Sequence, residues 1–123
     1  MSLTVLPLID LRESFDNDKD ILGSILDIFM VEVPEDCLLL RQSIESGDYT
    51  TAGMQAHKVK SSYRTLGITE MAIILQEIED RAKNKNNMQD IPNLLAQFNE
   101  NYEQINAQVL YTKEHLKVIV FIF

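Results

Sequence analysis

The sequence has one cysteine, three prolines, four glycines and no tryptophan in 123 residues. Because a lone thiol has no partner, Cys37 excludes an internal disulfide or a cysteine-based redox or zinc site, and we expect a cytoplasmic protein. Its neighbours at positions 38–40 are leucines, so we predict a buried apolar thiol rather than a nucleophile. The low glycine and proline content, with 46% hydrophobic residues, argues against disorder and predicts a single domain over residues 1–123.

Positive charge is also scarce, since 11 Lys and Arg stand against 19 Asp and Glu and give a formal charge of −8. Such a surface repels nucleic-acid phosphates, so nucleic acid is not an expected partner. Long hydrophobic runs are absent, because the apolar tail Val118 to Phe123 is far shorter than a bilayer-spanning helix. The N-terminus shows no signal-peptide pattern. We expect no membrane contact, and we expect the tail to pack against the protein or against a neighbouring chain.

Apolar residues recur at spacings of three and four, which predicts helices and leaves little room for strands. A short helix is expected over residues 9–14. Asp16 and Asp18 are candidates to cap a second helix that runs to about Glu32. The inward stripe of this second helix is predicted to be Ile21, Leu22, Ile25, Ile28 and Phe29.

Pro34 is expected to interrupt this helix, with another helix starting there and ending before Gly47. Asp48 is a predicted cap for the helix over residues 49–66. Thr69 is a predicted cap for the next helix, which runs to about residue 83. After an asparagine-rich loop, a long helix opens at Asp90 and Pro92.

Four substantial amphipathic helices with short connections predict an all-α fold. We expect an antiparallel up-down four-helix bundle with a short extra N-terminal helix. Its core is predicted over about residues 9–111, and residues 112–123 form a C-terminal tail.

The helix over residues 49–66 carries an apolar stripe and, on its other side, a histidine. The stripe consists of Ala52, Ala56, Val59, Tyr63 and Leu66. At about 100° per residue, His57 points roughly 140° away from the centre of this stripe. We predict that His57 is exposed, with Gly53 and Arg64 beside it and Lys60 and Ser61 flanking it. The alternative is an ordinary surface histidine without a function.

Two cations follow His57 on the same ridge, with Lys60 one turn on and Arg64 two turns on. In an otherwise acidic protein they predict a local anion site. An imidazole nitrogen is a competent nucleophile at neutral pH, and a transferred phosphoryl group needs compensating positive charge. The alternative for both cations is a solvated helix face with acidic partners.

Residues 56–67, AHKVKSSYRTLG, resemble the signature of histidine-containing phosphotransfer domains of two-component phosphorelays. The signature has an Ala-His pair, an apolar residue two after the histidine, a basic residue at three, small residues at four and five, and Leu-Gly at nine and ten. The resemblance extends from about Ile9 to Lys83. This chain departs from the family at Ser61, where members usually carry glycine. The Ser61 hydroxyl could bond the His57 ring or the phosphate.

The resemblance implies a function and a set of site residues. His57 accepts a phosphoryl group from a receiver-domain phosphoaspartate and passes it to another receiver aspartate, supported by Lys60, Ser61 and Arg64. Glu79 is a candidate to orient the ring from the following helix, or else a plain exposed carboxylate. Gly53 and Met54 would contact the docked receiver, although Met54 is equally well explained as a scattered surface methionine.

The implied partners are response-regulator receiver domains and a sensor histidine kinase, from which this domain could also have been excised. We expect Mg²⁺ in the receiver and no cofactor or metal in this chain. No phosphate-cradling glycine motif is present, so we expect a phosphoryl carrier without an ATP site rather than an enzyme. One alternative is a helical interaction module in which His57 is incidental. A metal-binding bundle would need Glu-x-x-His pairs, which neither His57 nor His115 provides.

Overall fold

A computed structural model describes residues 3–122 and the side chains of residues 3–120, so Phe123 at the end of the predicted tail lies outside the described residues. This part of the chain contains helices and no strand, which confirms the all-α prediction. The helices are α1 Ile9–Ser14, α2 Lys19–Glu45, α3 Tyr49–Thr65, α4 Thr69–Asn84, α5 Ile91–Glu114 and α6 Leu116–Ile122, with a 3-10 turn at Met88–Asp90 before α5.

The four long helices pack in a ring: α2 and α4 each contact both α3 and α5. Short turns join α2 to α3 and α3 to α4, so these consecutive helices run antiparallel. Across residues 3–122, none of the helices combines the length and the apolar character needed to cross a membrane.

The predicted break at Pro34 is wrong, because α2 continues through this residue. Pro34 lies on the exposed side of the helix, where water can solvate the carbonyl group that loses its hydrogen bond. The buried stripe keeps its phase across the proline, and packing of this stripe holds both halves in one helix. Two residues of the predicted stripe, Ile21 and Ile28, are exposed. The stripe that is buried consists of Leu22, Leu26, Phe29, Val33, Cys37, Leu40 and Ile44.

Local capping explains where α2 and α3 begin. Of the two candidate caps of α2, Asp18 accepts hydrogen bonds from the backbone of Asp20 and Ile21. Asp48 caps α3 by accepting from the amide of Thr51 at 3.1 Å, as predicted. The predicted cap at Thr69 is wrong, because this residue lies inside α4.

α3 thus starts at a defined residue, Tyr49, and the angular position of each later residue around the helix axis follows from that start. At its other end, Gly67 follows α3 with a φ of 74°, a left-handed conformation that favours glycine and turns the chain into α4.

The described part of the tail packs against the bundle, which is one of the two arrangements predicted for it. Leu116 and Ile119 of α6 are buried, and α6 contacts α2. A Cβ atom on Gly23 of α2 would lie 3.5 Å from the side chain of Leu116, so the two helices approach closely there.

Cys37 is buried, as predicted. Burial raises the pKa of its thiol to about 12. Cys37 is therefore a packing residue of the core, since the thiolate needed for nucleophilic chemistry does not form at neutral pH.

Candidate functional site

The prediction that His57 is exposed is confirmed. Ala56, Val59 and Tyr63 of α3 are fully buried, whereas 56% of the His57 side chain is exposed. The ring is nevertheless held on one side, since Nδ1 lies 3.1 Å from Oε2 and 3.2 Å from Oε1 of Glu79 on α4. This contact leaves the rest of the ring facing solvent.

Glu79 is a buried carboxylate with cationic neighbours, so the alternative of a plain exposed carboxylate is wrong. Only 7% of its side chain is exposed. Lys60 donates to Oε1 at 2.7 Å and Lys83 donates to Oε2 at 2.7 Å. Burial by itself raises the pKa of Glu79, but the hydrogen bonds from Lys60, Lys83 and His57 outweigh burial and lower this pKa to about 2. Glu79 is therefore ionised at neutral pH.

The charge on Glu79 determines which nitrogen of His57 carries the proton. An ionised carboxylate can only accept hydrogen bonds, so Nδ1 must be the donor in this contact. In the neutral ring, the unshared electron pair then lies on Nε2. The nitrogen that can act as a nucleophile is thus the one directed away from Glu79.

The prediction that Lys60 lies on an exposed ridge with His57 is wrong. Only 6% of its side chain is exposed, and its ammonium group donates to Gln76 at 2.8 Å as well as to Glu79. Lys60 lies on the flank of α3 that packs against α4, so the second helix covers a position that looks exposed on an isolated helix. Lys60 contacts the carboxylate that holds His57, and it does not contact the ring directly.

Gly53 lies on the same flank, because it precedes Lys60 by seven residues, or two turns. The prediction that Gly53 is open to a docking partner is wrong, since this residue is buried. A Cβ atom there would lie 3.4 Å from both Ala82 Cβ and Lys83 Cγ. The glycine allows α4 to approach closely, and the stem of Lys83 covers it.

Lys83 and Gln76 are the two site residues that the sequence interpretation missed. Lys83 follows Glu79 by four residues and Gln76 precedes it by three, so both spacings place them on the same face of α4 as Glu79. The spacing along α4 is the sequence signal for both residues. It identifies them as site residues only once Glu79 is known to be buried. Of the Lys83 side chain, 52% is exposed.

The remaining predicted residues lie on the exposed surface of α3. Met54 is 62% exposed. The Ser61 hydroxyl donates to the backbone carbonyl of His57 at 3.0 Å and not to the ring. Arg64 lies in a groove at the end of α3 with Asp10 and Gln76, and no hydrogen bond or ion pair joins it to His57 among the described residues.

On the opposite flank of His57, Lys58 forms a separate ion pair. Its ammonium group lies 3.0 Å from Asp36 Oδ1 of α2, and 57% of the lysine side chain is exposed while Asp36 is buried. The hydrogen bond that Lys58 donates to the Asp36 carboxylate raises the pKa of Lys58. This half-exposed lysine on a buried carboxylate resembles the Lys83–Glu79 pair, but Asp36 has no contact with the His57 ring among the described residues.

The family model of the Hpt domain matches residues 24–108, which is more than half of the chain and includes His57, Glu79 and Lys83. Comparisons with curated proteins and with solved structures gave no match.

Proposed function

Because this chain belongs to the Hpt domain family, whose members carry phosphoryl groups in two-component signalling, we propose that His57 is its phosphoryl-accepting residue. In this proposal His57 accepts the group from the phosphoaspartate of one receiver domain and passes it to the aspartate of another. Family members act as carriers without an ATP site of their own. The partners of this chain are therefore receiver domains and a sensor histidine kinase, and we place the relay in the cytoplasm.

The observation that carries this proposal is the contact between Nδ1 of His57 and the buried carboxylate of Glu79. It fixes the ring while more than half of the side chain stays open to a partner. It also leaves the electron pair on Nε2, so the exposed nitrogen is ready to react without losing a proton. An incidental surface histidine would not require a buried, ionised partner.

The transfer step follows from this geometry. Nε2 attacks the phosphorus atom of the receiver's phosphoaspartate in line with the bond to the aspartyl oxygen. As the N–P bond forms, the P–O bond breaks and its electron pair leaves with the aspartate carboxylate. The ring gains positive charge when it is phosphorylated, and the hydrogen bond from Nδ1 to Glu79 stabilises that charge. Mg²⁺ belongs to the receiver, and this chain needs no cofactor.

The other predicted residues take indirect or peripheral roles. Lys60 supports the phosphoryl group through Glu79, whose charge it maintains. The exposed hydroxyl of Ser61 lies one turn beyond His57, and because it donates to the His57 carbonyl it can accept a hydrogen bond from the docked receiver. Arg64 offers its charge to the receiver at the end of α3. Met54 provides an apolar contact one turn before His57.

Phosphotransfer from a phosphorylated receiver tests this proposal. The wild-type protein should take up labelled phosphate in an acid-labile and base-stable form, as expected for phosphohistidine, and His57→Gln should take up none. His115→Gln is the matched control, because His115 is the other histidine and its ring stacks on Tyr111. Equal labelling of wild type and His57→Gln would show that His57 is incidental and that the chain is an interaction module.

A further inference from the structure

We propose that Lys83 is the cation that binds the phosphoryl group on His57, moving from Glu79 to the phosphoryl oxygens when Nε2 is phosphorylated. This inference rests on the proposed function of His57. It assigns different tasks to the two lysines that share Glu79: Lys60 keeps the carboxylate ionised, and Lys83 is released to the phosphate.

The two lysines differ in their freedom to move. The Lys60 ammonium is almost sealed from solvent and is held by two bonds, to Gln76 and to Glu79. Moving it would break both bonds and take one of its two lysines from the buried Glu79 carboxylate. The Lys83 side chain is half-exposed, and its one hydrogen bond goes to Glu79 Oε2. Because the Lys83 stem is flexible and half-exposed, exchanging its one hydrogen bond for another costs little free energy.

The Lys83 ammonium group also lies close to the His57 ring before phosphorylation. It donates to Oε2 of Glu79, and the same oxygen lies 3.1 Å from Nδ1 of His57. Its ammonium group is therefore separated from the ring by a single carboxylate oxygen. The stem reaches this position by crossing over Gly53, the residue one turn before His57 on α3. In a helix the Cα–Cβ bonds tilt toward the N-terminus, so the Cβ atom of His57 points toward the turn of Gly53, which the stem of Lys83 covers.

Release of Lys83 leaves the support of the ring intact. When Lys83 moves, Glu79 retains Lys60 at 2.7 Å and stays ionised, so Nδ1 keeps its acceptor. The phosphoryl dianion gains a direct ammonium contact that the buried Lys60 cannot supply. A single lysine could not keep Glu79 ionised and bind the phosphoryl group at the same time. Two lysines on one carboxylate can do both.

Chemical phosphorylation separates this inference from the relay itself. Phosphoramidate transfers its phosphoryl group to a histidine ring: the N–P bond to Nε2 forms, the original P–N bond breaks, and ammonia leaves. We would load the wild-type protein and the Lys83→Gln, Lys83→Arg and Lys58→Gln variants in this way. The ³¹P shift of the phosphohistidine, followed against pH, then reports the second ionisation of the phosphoryl group.

We expect this ionisation at a higher pH in Lys83→Gln than in wild type, because the neighbouring ammonium favours the dianion. Phosphoramidate should load Lys83→Gln about three- to tenfold more slowly than wild type. The effect is smaller than for a buried ammonium group, because water screens the half-exposed Lys83. Lys83→Arg should behave like wild type. Lys58→Gln, which removes an equally exposed lysine from the buried Asp36, should also behave like wild type.

Two outcomes would overturn the proposals, and they differ. If His57 is loaded and Lys83→Gln gives the wild-type loading rate and ³¹P titration, Lys83 does not bind the phosphoryl group, although His57 remains the carrier. If neither phosphoramidate nor a phosphorylated receiver modifies His57 in the folded wild-type protein, the proposed function fails, and the inference about Lys83 fails with it.

Discussion

The ammonium group of Lys60 lies 2.7 Å from Oε1 of Glu79, and both side chains are almost sealed from solvent between α3 and α4. A buried ion pair of this kind is costly to break, because the remaining charge has no access to water. Lys60 thus links the chemistry of the site to the stability of the bundle.

Replacing Lys60 with Met should destabilise the protein. The substitution leaves the buried carboxylate with Lys83 and His57 alone, and we expect the free energy of unfolding to fall by roughly 2–3 kcal/mol. Urea denaturation followed by circular dichroism measures this change. Lys117→Met is the control and should have a much smaller effect, since Lys117 is exposed on α6. Wild-type stability of Lys60→Met would contradict the buried pair.

The protein should lose stability in acid through Glu79. Its pKa is lowered from 4.5 to about 2 in the folded state, so its contribution is fully present above pH 4.5 and is lost as the pH falls through about 2. The contribution is at most about 3 kcal/mol. Comparing the pH dependence of unfolding for wild type and Glu79→Gln checks this. The variant should be less stable at pH 6, and the difference should shrink between pH 4.5 and 2. A constant difference across that range would show that Glu79 is not the titrating group.

Met54→Glu should weaken docking without affecting the reactivity of the ring. Met54 is 62% exposed one turn before His57, and a carboxylate there would lose water on docking and would remove apolar contact area. We expect transfer from a phosphorylated receiver to slow by about tenfold, with loading by phosphoramidate unchanged. Leu110→Glu provides the control, because Leu110 is an exposed apolar residue on α5, a helix that packs against α2 and α4. Equal slowing by both substitutions would remove Met54 from the docking surface.

Pro34→Ala should stabilise α2. An alanine restores the backbone N–H inside a continuous helix and removes the clash of the proline ring with the preceding turn. Because proline also restricts the unfolded chain, we expect a net gain of about 1–2 kcal/mol in the free energy of unfolding. Thermal or urea unfolding measures it, and Glu35→Ala at the neighbouring exposed position should change stability little. A loss of stability would mean that the proline shape is needed in α2.

The amino-acid sequence was enough to predict the helical class and the exposed position of His57. These properties depend on the spacing of apolar residues within one helix, and a helix keeps the same angle per residue whatever it packs against. The Asp48 cap adds a start signal that acts over a few residues. Local signals of this kind can be read without knowing where other helices lie.

The roles of the residues on the flanks of α3 depend on how this helix packs against α4, and the sequence did not predict them. Lys60 and Gly53 look exposed on an isolated helix, but α4 covers that flank and turns Lys60 into the partner of Glu79. The continuity of α2 through Pro34 likewise depends on packing across the bundle, which outweighs one lost hydrogen bond. Which side chains meet between two helices depends on their relative rotation and offset, and residue spacing along one helix does not specify either.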